Sequence, residues 1–157
     1  MKVMYDHQIF STQVYGGISR YFIELMKKIE KDDEIKYDLP LKISNNYYLK
    51  QLSNIFYTSF FLNYEFKKKV RIINYFNKII SKNVISKQNF DIFHPTYYDP
   101  YFLEYIGHKP FVLTVHDMIH EIFPEIFPET FSLKDKTAER KKLLIQKAAN
   151  YYRIKKY

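Results

Sequence analysis

Two hydrophobic periodicities alternate along this chain, and that alternation limits its fold more than any other feature. Residues 2–5 read as a short strand. After a polar loop ending in Gly16-Gly17, the apolar residues Ile18, Phe22, Leu25 and Ile29 recur at spacings of four, three and four. That spacing lines one face of a helix, which the polar run 30–34 closes. Residues 37–43 form a second candidate strand. Pro40 marks it as an edge or an irregular position, because proline has no N–H for a ladder. Residues 47–66 are crowded with aromatics and carry no clear period. Phe66, Val70, Ile73, Phe76, Ile80 and Val84 then restore the three-four spacing, with lysines on the other faces. Two more strands are predicted at 92–94 and 111–116. The second is a continuous apolar run, Phe-Val-Leu-Thr-Val, of the kind that a parallel sheet covers on both faces. Residues 134–149 read as a closing helix. Strands alternating with helices predict a right-handed, doubly wound α/β layer with a parallel sheet.

A chain of 157 residues suits one domain, which buries about 70% of the surface its unfolded form exposes. There is no cysteine, so disulfides and thiolate metal sites are excluded. No apolar run approaches the ~20 residues that span a bilayer, and the start lacks a signal-peptide apolar stretch. The expected setting is cytoplasmic, soluble or peripheral on the inner face of the membrane. The net charge of +8 is unevenly placed: residues 50–90 hold eight cations against Glu65 alone. Such a patch attracts phosphates of any origin. Lys67, Lys68, Lys69 and Arg71, flanked by Phe60 and Phe61, are expected to touch anionic lipid, since apolar burial and charge attraction add at an interface.

Three features could carry chemistry. Gly16-Gly17, between a strand and a helix, lets backbone approach a ligand, and the helix start offers free N–H groups to an anion. Taken alone, the pair is better explained by a tight turn. Arg20, one turn into the helix, would add a cation to a phosphate site. The G-x-G-x-x-G dinucleotide fingerprint is absent, which argues against a nicotinamide enzyme. His116-Asp117 closes a predicted strand, and open α/β sheets bind ligands at the carboxyl ends of their strands. His94 closes the preceding strand in the same way, so one crevice is expected to contain both imidazoles. Histidines that merely cap strands by hydrogen bonds are the alternative. His116, Asp117, His120 and Glu121 do not have the H-E-x-x-H spacing; no metal and no cofactor is expected. There is no G-x-S-x-G nucleophile motif.

Four segments taken together resemble glycosyltransferase family 4, and most of all its mannosyltransferase-like members. They are Tyr5-Asp6-His7-Gln8-Ile9-Phe10, Tyr15-Gly16-Gly17-Ile18-Ser19-Arg20-Tyr21-Phe22, Asp91-Ile92-Phe93-His94-Pro95-Thr96 and Leu113-Thr114-Val115-His116-Asp117-Met118. The likeness runs from near Lys2 to near Ala148. It implies a GT-B architecture, two Rossmann-like domains across a cleft, with this chain as the amino-terminal, acceptor-side domain. It implies Gly16 and Gly17 near the donor phosphates, His116 beside the transferred sugar, and metal-free transfer with retention of configuration. The function so implied is transfer of a sugar, mannose for instance, from a nucleotide-sugar to a glycan or lipid-linked acceptor in cell-surface polysaccharide synthesis. Family members are longer, and their second domain holds the donor through paired glutamates. The expectation is therefore a domain over 1–149, an out-of-pattern basic tail over 150–157, and a chain inactive alone. Two other readings stand beside it: a non-catalytic basic module on anionic membrane or nucleic acid, and a decayed gene fragment. A nucleic-acid module leaves the glycine loop and the strand-end histidines unexplained, so no nucleic acid is expected.

Overall fold

In a computed structural model that describes residues 1–118, 122 and 136–154 (side chains through 149), the first strand made is the middle one. β1 (Lys2–Tyr5) pairs in parallel with β2 (Lys36–Asp38) on one side and β3 (Ile92–His94) on the other. Lys2 lies opposite Lys36 and Met4 opposite Asp38; on the other edge Val3 faces Ile92 and Tyr5 faces His94. From β1 the chain passes through α1 (Gln8–Thr12) and α2 (Gly17–Ile29) to β2, then crosses over and returns through α3 (Lys69–Ile85) to β3. The winding reverses at β1, so the carboxyl ends of β1 and β3 flank a topological switch point.

Side chains of β1 alternate between two cores, as a strand covered on both faces requires. Val3 and Tyr5 pack with Phe10, Phe22, Ile23, Met26 and Leu49. Met4 packs on the other side with Ile85, Phe90, Phe93, Phe102 and Leu144, the last from the closing helix α4 (Thr137–Ile154). Of the predicted apolar stripe of α2 only Phe22 is fully buried; Ile18, Leu25 and Ile29 are half-buried, and Ile23 and Met26 complete the inner row. Each fully buried side chain stabilises the fold by about 1.5–3 kcal/mol relative to exposure. The backbone of α4 continues past 149, so residues 150–154 extend that helix.

Three expectations meet a different structure. β2 stops at Asp38, because Pro40 cannot donate and the Leu41 N–H folds back to the Leu39 carbonyl at 3.0 Å. The predicted strand at 111–116 touches the sheet at one rung. Phe93 donates to the Pro110 carbonyl and accepts from the Val112 N–H, after which the segment leaves β3 with Val112 and Val115 exposed. Third, α3 does not bury the apolar stripe. Its inner row is Lys69, Ile73, Asn77, Ser81 and Ile85, while Val70 and Phe76 are exposed. The amide of Asn77 explains the rotation. Its Oδ1 accepts from the Lys42 and Ile43 N–H groups at 3.0 and 3.2 Å, and its Nδ2 donates to the Ser11 hydroxyl and the Ile43 carbonyl at 2.8 and 2.6 Å. Those backbone groups have no strand to pair with and need the side chain.

Candidate functional site at the switch point

Tyr5 and His94 end their strands side by side, and the two loops that follow are stitched together by polar side chains. The Asp6 carboxylate is fully buried. It accepts from the Thr96 N–H at 2.9 Å, the Thr96 hydroxyl at 2.7 Å and the Gln8 amide at 2.6 Å. Gln8 also brackets Asp99, accepting from its N–H at 2.7 Å and donating to its carbonyl at 3.0 Å. Burial pushes the Asp6 carboxyl up from its ordinary range, against the pull of these hydrogen bonds. His7 is buried beside it, with Nδ1 3.0 Å from the Ser11 hydroxyl and its ring 5.7 Å from that of Tyr101. Burial, helped by the Lys78 ammonium and opposed by Asp99, lowers its pKa to about 3. This network fixes where both strand ends point.

On that support the structure brings His94 and His116 together. The His94 ring lies 5.2 Å from Phe22 and 5.4 Å from Tyr5, and its Nε2 is 2.8 Å from the Thr114 hydroxyl. The His116 ring lies 5.7 Å from the same Phe22 and 5.6 Å from Tyr21. One phenylalanine of α2 is the shared floor of both imidazoles. Burial, with His116 nearby, lowers the pKa of His94 to about 4. Burial also lowers that of the half-buried His116, while Asp117 pulls it back up. Both rings are therefore neutral at pH 7, a state in which an imidazole gives one hydrogen bond and accepts another; His94 already spends its Nε2 on the Thr114 hydroxyl.

The His116 backbone is pinned from two sides. Its N–H donates to the Tyr98 hydroxyl at 2.9 Å, and the next carbonyl, that of Asp117, accepts from Lys141 Nζ of α4 at 2.8 Å. Lys141 is only 1% exposed, and the Asp117 carboxylate is 3.7 Å from its ammonium. Asp117 itself is exposed beside the histidine pair.

Gly16 and Gly17 open α2, and no side chain caps that end. The first returning bond is from the Arg20 N–H to the Gly16 carbonyl at 3.1 Å, so the N–H groups before it point out of the helix. Gly17, Arg20, Tyr21, Glu24, Leu25 and Lys28 line a shallow groove along α2. Tyr21 joins that groove to His116. The two glycines differ: a Cβ at Gly16 would strike the Gln13 side chain, whereas one at Gly17 would meet nothing within 4 Å. Gly17→Ala is thus expected to leave the melting temperature unchanged or slightly raised, since alanine is the better helix former by up to about 1 kcal/mol. A fall of several degrees by circular dichroism would show that the fold itself needs glycine there.

The four cations expected at lipid do not share one environment. Lys67, Lys68 and Arg71 are exposed, but Lys69 is buried and spends its ammonium on protein oxygens, so it is withdrawn from any surface contact. His120 and Glu121 lie outside the described residues. Among the described residues no group of three or more His, Cys, Asp or Glu could hold a metal ion. Tyr21, Tyr98, Thr114 and Lys141 were not visible as site residues in the sequence; Tyr21 and Thr114 had a signal, their places beside Arg20 in the glycine segment and two residues before His116. Comparison with protein-family models, with curated proteins and with solved structures finds no match.

Proposed function

We propose that the crevice at the carboxyl ends of β1 and β3 is the acceptor-side wall of a sugar-transfer site, in a retaining glycosyltransferase of the GT-B kind. The observation that carries this reading is the meeting of two neutral histidines over Phe22, next to the uncapped start of α2. A neutral imidazole suits a sugar hydroxyl, to which it can donate or from which it can accept. The open N–H groups at Gly17, with Arg20 one turn on, suit the phosphates of a nucleotide-sugar. In the reaction the acceptor hydroxyl oxygen bonds to the anomeric carbon, the nucleoside diphosphate departs with the bonding pair, and the hydroxyl proton passes to the departing phosphate oxygen. His116 touches the transferred sugar, Asp117 stands beside it, and His94 positions His116 through their shared floor. The acceptor is a glycan or a lipid-linked saccharide. A second, donor-holding domain supplies the opposite wall.

Aligning donor and acceptor supplies much of the rate in such chemistry, and one wall does not align both. The test supplies a donor-binding domain in trans and follows nucleotide release. The chain alone is expected to release none. In the assembled enzyme His116→Ala is expected to lower kcat about a hundredfold, with the melting temperature held within a few degrees. Wild-type turnover in that variant would remove His116 from the site.

A further inference from the structure

We infer that residues 56–71, together with the outer face of α3, form a docking surface for an anionic lipid bilayer. This inference does not depend on the sugar-transfer reading. The loop before α3 turns its large apolar side chains outward: Phe56 is 85% exposed, Phe61 63%, Leu62 60% and Tyr64 68%. The helix continues the pattern. Its inner row is more than half polar, whereas Val70, Tyr75, Phe76 and Ile79 are exposed. Phe56 lines one shallow groove with Ile80 and Val84, which links the loop to the helix. Water does not reward such an arrangement, and scattered single hydrophobes do not describe it.

Lys69 holds the loop in this form. Its ammonium donates to the Phe61 carbonyl at 2.8 Å, the Tyr64 carbonyl at 3.0 Å and the exposed Glu65 carboxylate at 2.8 Å, so all three protons are taken up by the loop itself. The clamp spans two left-handed residues, Phe61 with φ 45° and Lys68 with φ 81°. Non-glycine residues in that region cost about 1–3 kcal/mol each and persist only where surrounding structure enforces them. The rings of Phe60, Phe61 and Phe66 lean on one another at 4.9 to 6.3 Å. The loop is therefore a stiff apolar prow rather than a frayed segment.

Charge decides what it meets. Lys69 occupies Glu65, the one acid between 50 and 90, leaving Lys67, Lys68 and Arg71 exposed around the aromatics. A second copy of this face would bring like charges together. A bilayer with anionic headgroups offers the complementary charge, a depth for the Phe61 and Leu62 side chains, and the interfacial zone that tyrosine favours. No helix among the described residues is long and apolar enough to cross a membrane, so the contact is one of insertion at the surface.

Vesicle flotation of the full chain tests this, with vesicles of phosphatidylcholine alone and with one-third phosphatidylglycerol. Wild type is expected to float only with the anionic vesicles and to lose binding as salt rises. Lys67→Gln, Lys68→Gln and Arg71→Gln should each lower the partition constant about fivefold, and together about a hundredfold. Phe61→Ser with Leu62→Ser should lower it about tenfold or more at unchanged melting temperature. Equal recovery on neutral and anionic vesicles would overturn the proposal. So would wild-type flotation of the variants, or self-association through this face without vesicle binding.

Discussion

Replacing Asp6 with alanine is expected to lower the unfolding free energy by about 3–5 kcal/mol, the largest single-site effect outside the apolar core. The change removes the acceptor of the Thr96 N–H and of one Gln8 amide proton, and leaves the Thr96 hydroxyl only the Asp6 backbone carbonyl at 3.2 Å. All lie where water does not reach, and a buried polar group left without a partner costs about 1–3 kcal/mol. Asp6→Asn should cost about half as much. Its Oδ1 keeps the bond from the Thr96 N–H, but its amide faces the Gln8 Nε2 as donor against donor. Gln8 cannot flip to relieve this without losing its bond from the Asp99 N–H. The comparison also isolates the network from the charge, because burial already disfavours the ionised carboxyl. Urea unfolding at unchanged m is the measurement. Equal losses in the two variants would show that hydrogen bonds to Asp6 do not hold the loops.

Acid is expected to destabilise the fold well above the pH at which carboxylates titrate. His7 and His94 have pKa values lowered to about 3 and about 4 in the folded chain. An unfolded histidine titrates near ~6.5. Below that pH the unfolded chain therefore binds protons that the folded chain refuses. The stability is full above the unfolded value and is lost as pH falls toward the folded ones. At pH 5 the linkage amounts to about 2 kcal/mol for each of the two groups. His116, lowered for the same reason, adds in the same direction. Asp6 opposes it: its raised carboxyl takes up a proton in the folded chain before the unfolded one, which returns some stability on acidification. Two histidines outweigh one carboxyl, so the urea midpoint should fall between pH 7 and 5. His94→Gln, which can still bond the Thr114 hydroxyl, should flatten that slope. A flat wild-type profile would mean that the imidazoles are open to water.

The elements legible in the sequence are those whose apolar period agrees with their burial. β1 and β3 come through almost residue for residue, because Tyr5 and Phe93 go where a two-residue period sends them. α2 was legible as a helix, but of its predicted stripe only Phe22 is fully buried; Ile18, Leu25 and Ile29 are half-buried beside Ile23 and Met26. α3 was legible as a helix but not in its phase. Its apolar stripe and its buried row share Ile73 alone, since Asn77 is drawn inward by backbone groups at 42–43 that no periodicity announces. The fourth strand was misread because an apolar run does not say whether a partner strand is long enough; β3 ends at His94 and leaves only one rung at Phe111. His94 was visible as a strand-end residue; His116 was singled out for the same reason, but it follows a segment that has already left the sheet and reaches His94 through Phe22 and the Tyr98 hydroxyl. The Asp6, His7, Thr96 and Asp99 network that supports them was not. Its bonds join positions about ninety residues apart, such as Thr96 to Asp6, and neither loop shows its need until the other is present.

The middle place of the first strand sets a timetable for synthesis. β1 can pair with β2 as soon as residue 38 clears the ribosome, but its other edge waits for β3. The Lys2 N–H to Asp91 bond alone spans 89 positions. At ~5–20 residues per second, that edge stands open for roughly 4–18 s. Throughout that interval Asp6 has no Thr96 and Tyr5 has no His94, while Val3, Met4 and Tyr5 present a bare strand to every other nascent chain nearby. The nascent half is a template looking for a strand, and a chaperone that shields such an edge would serve this protein most in those few seconds.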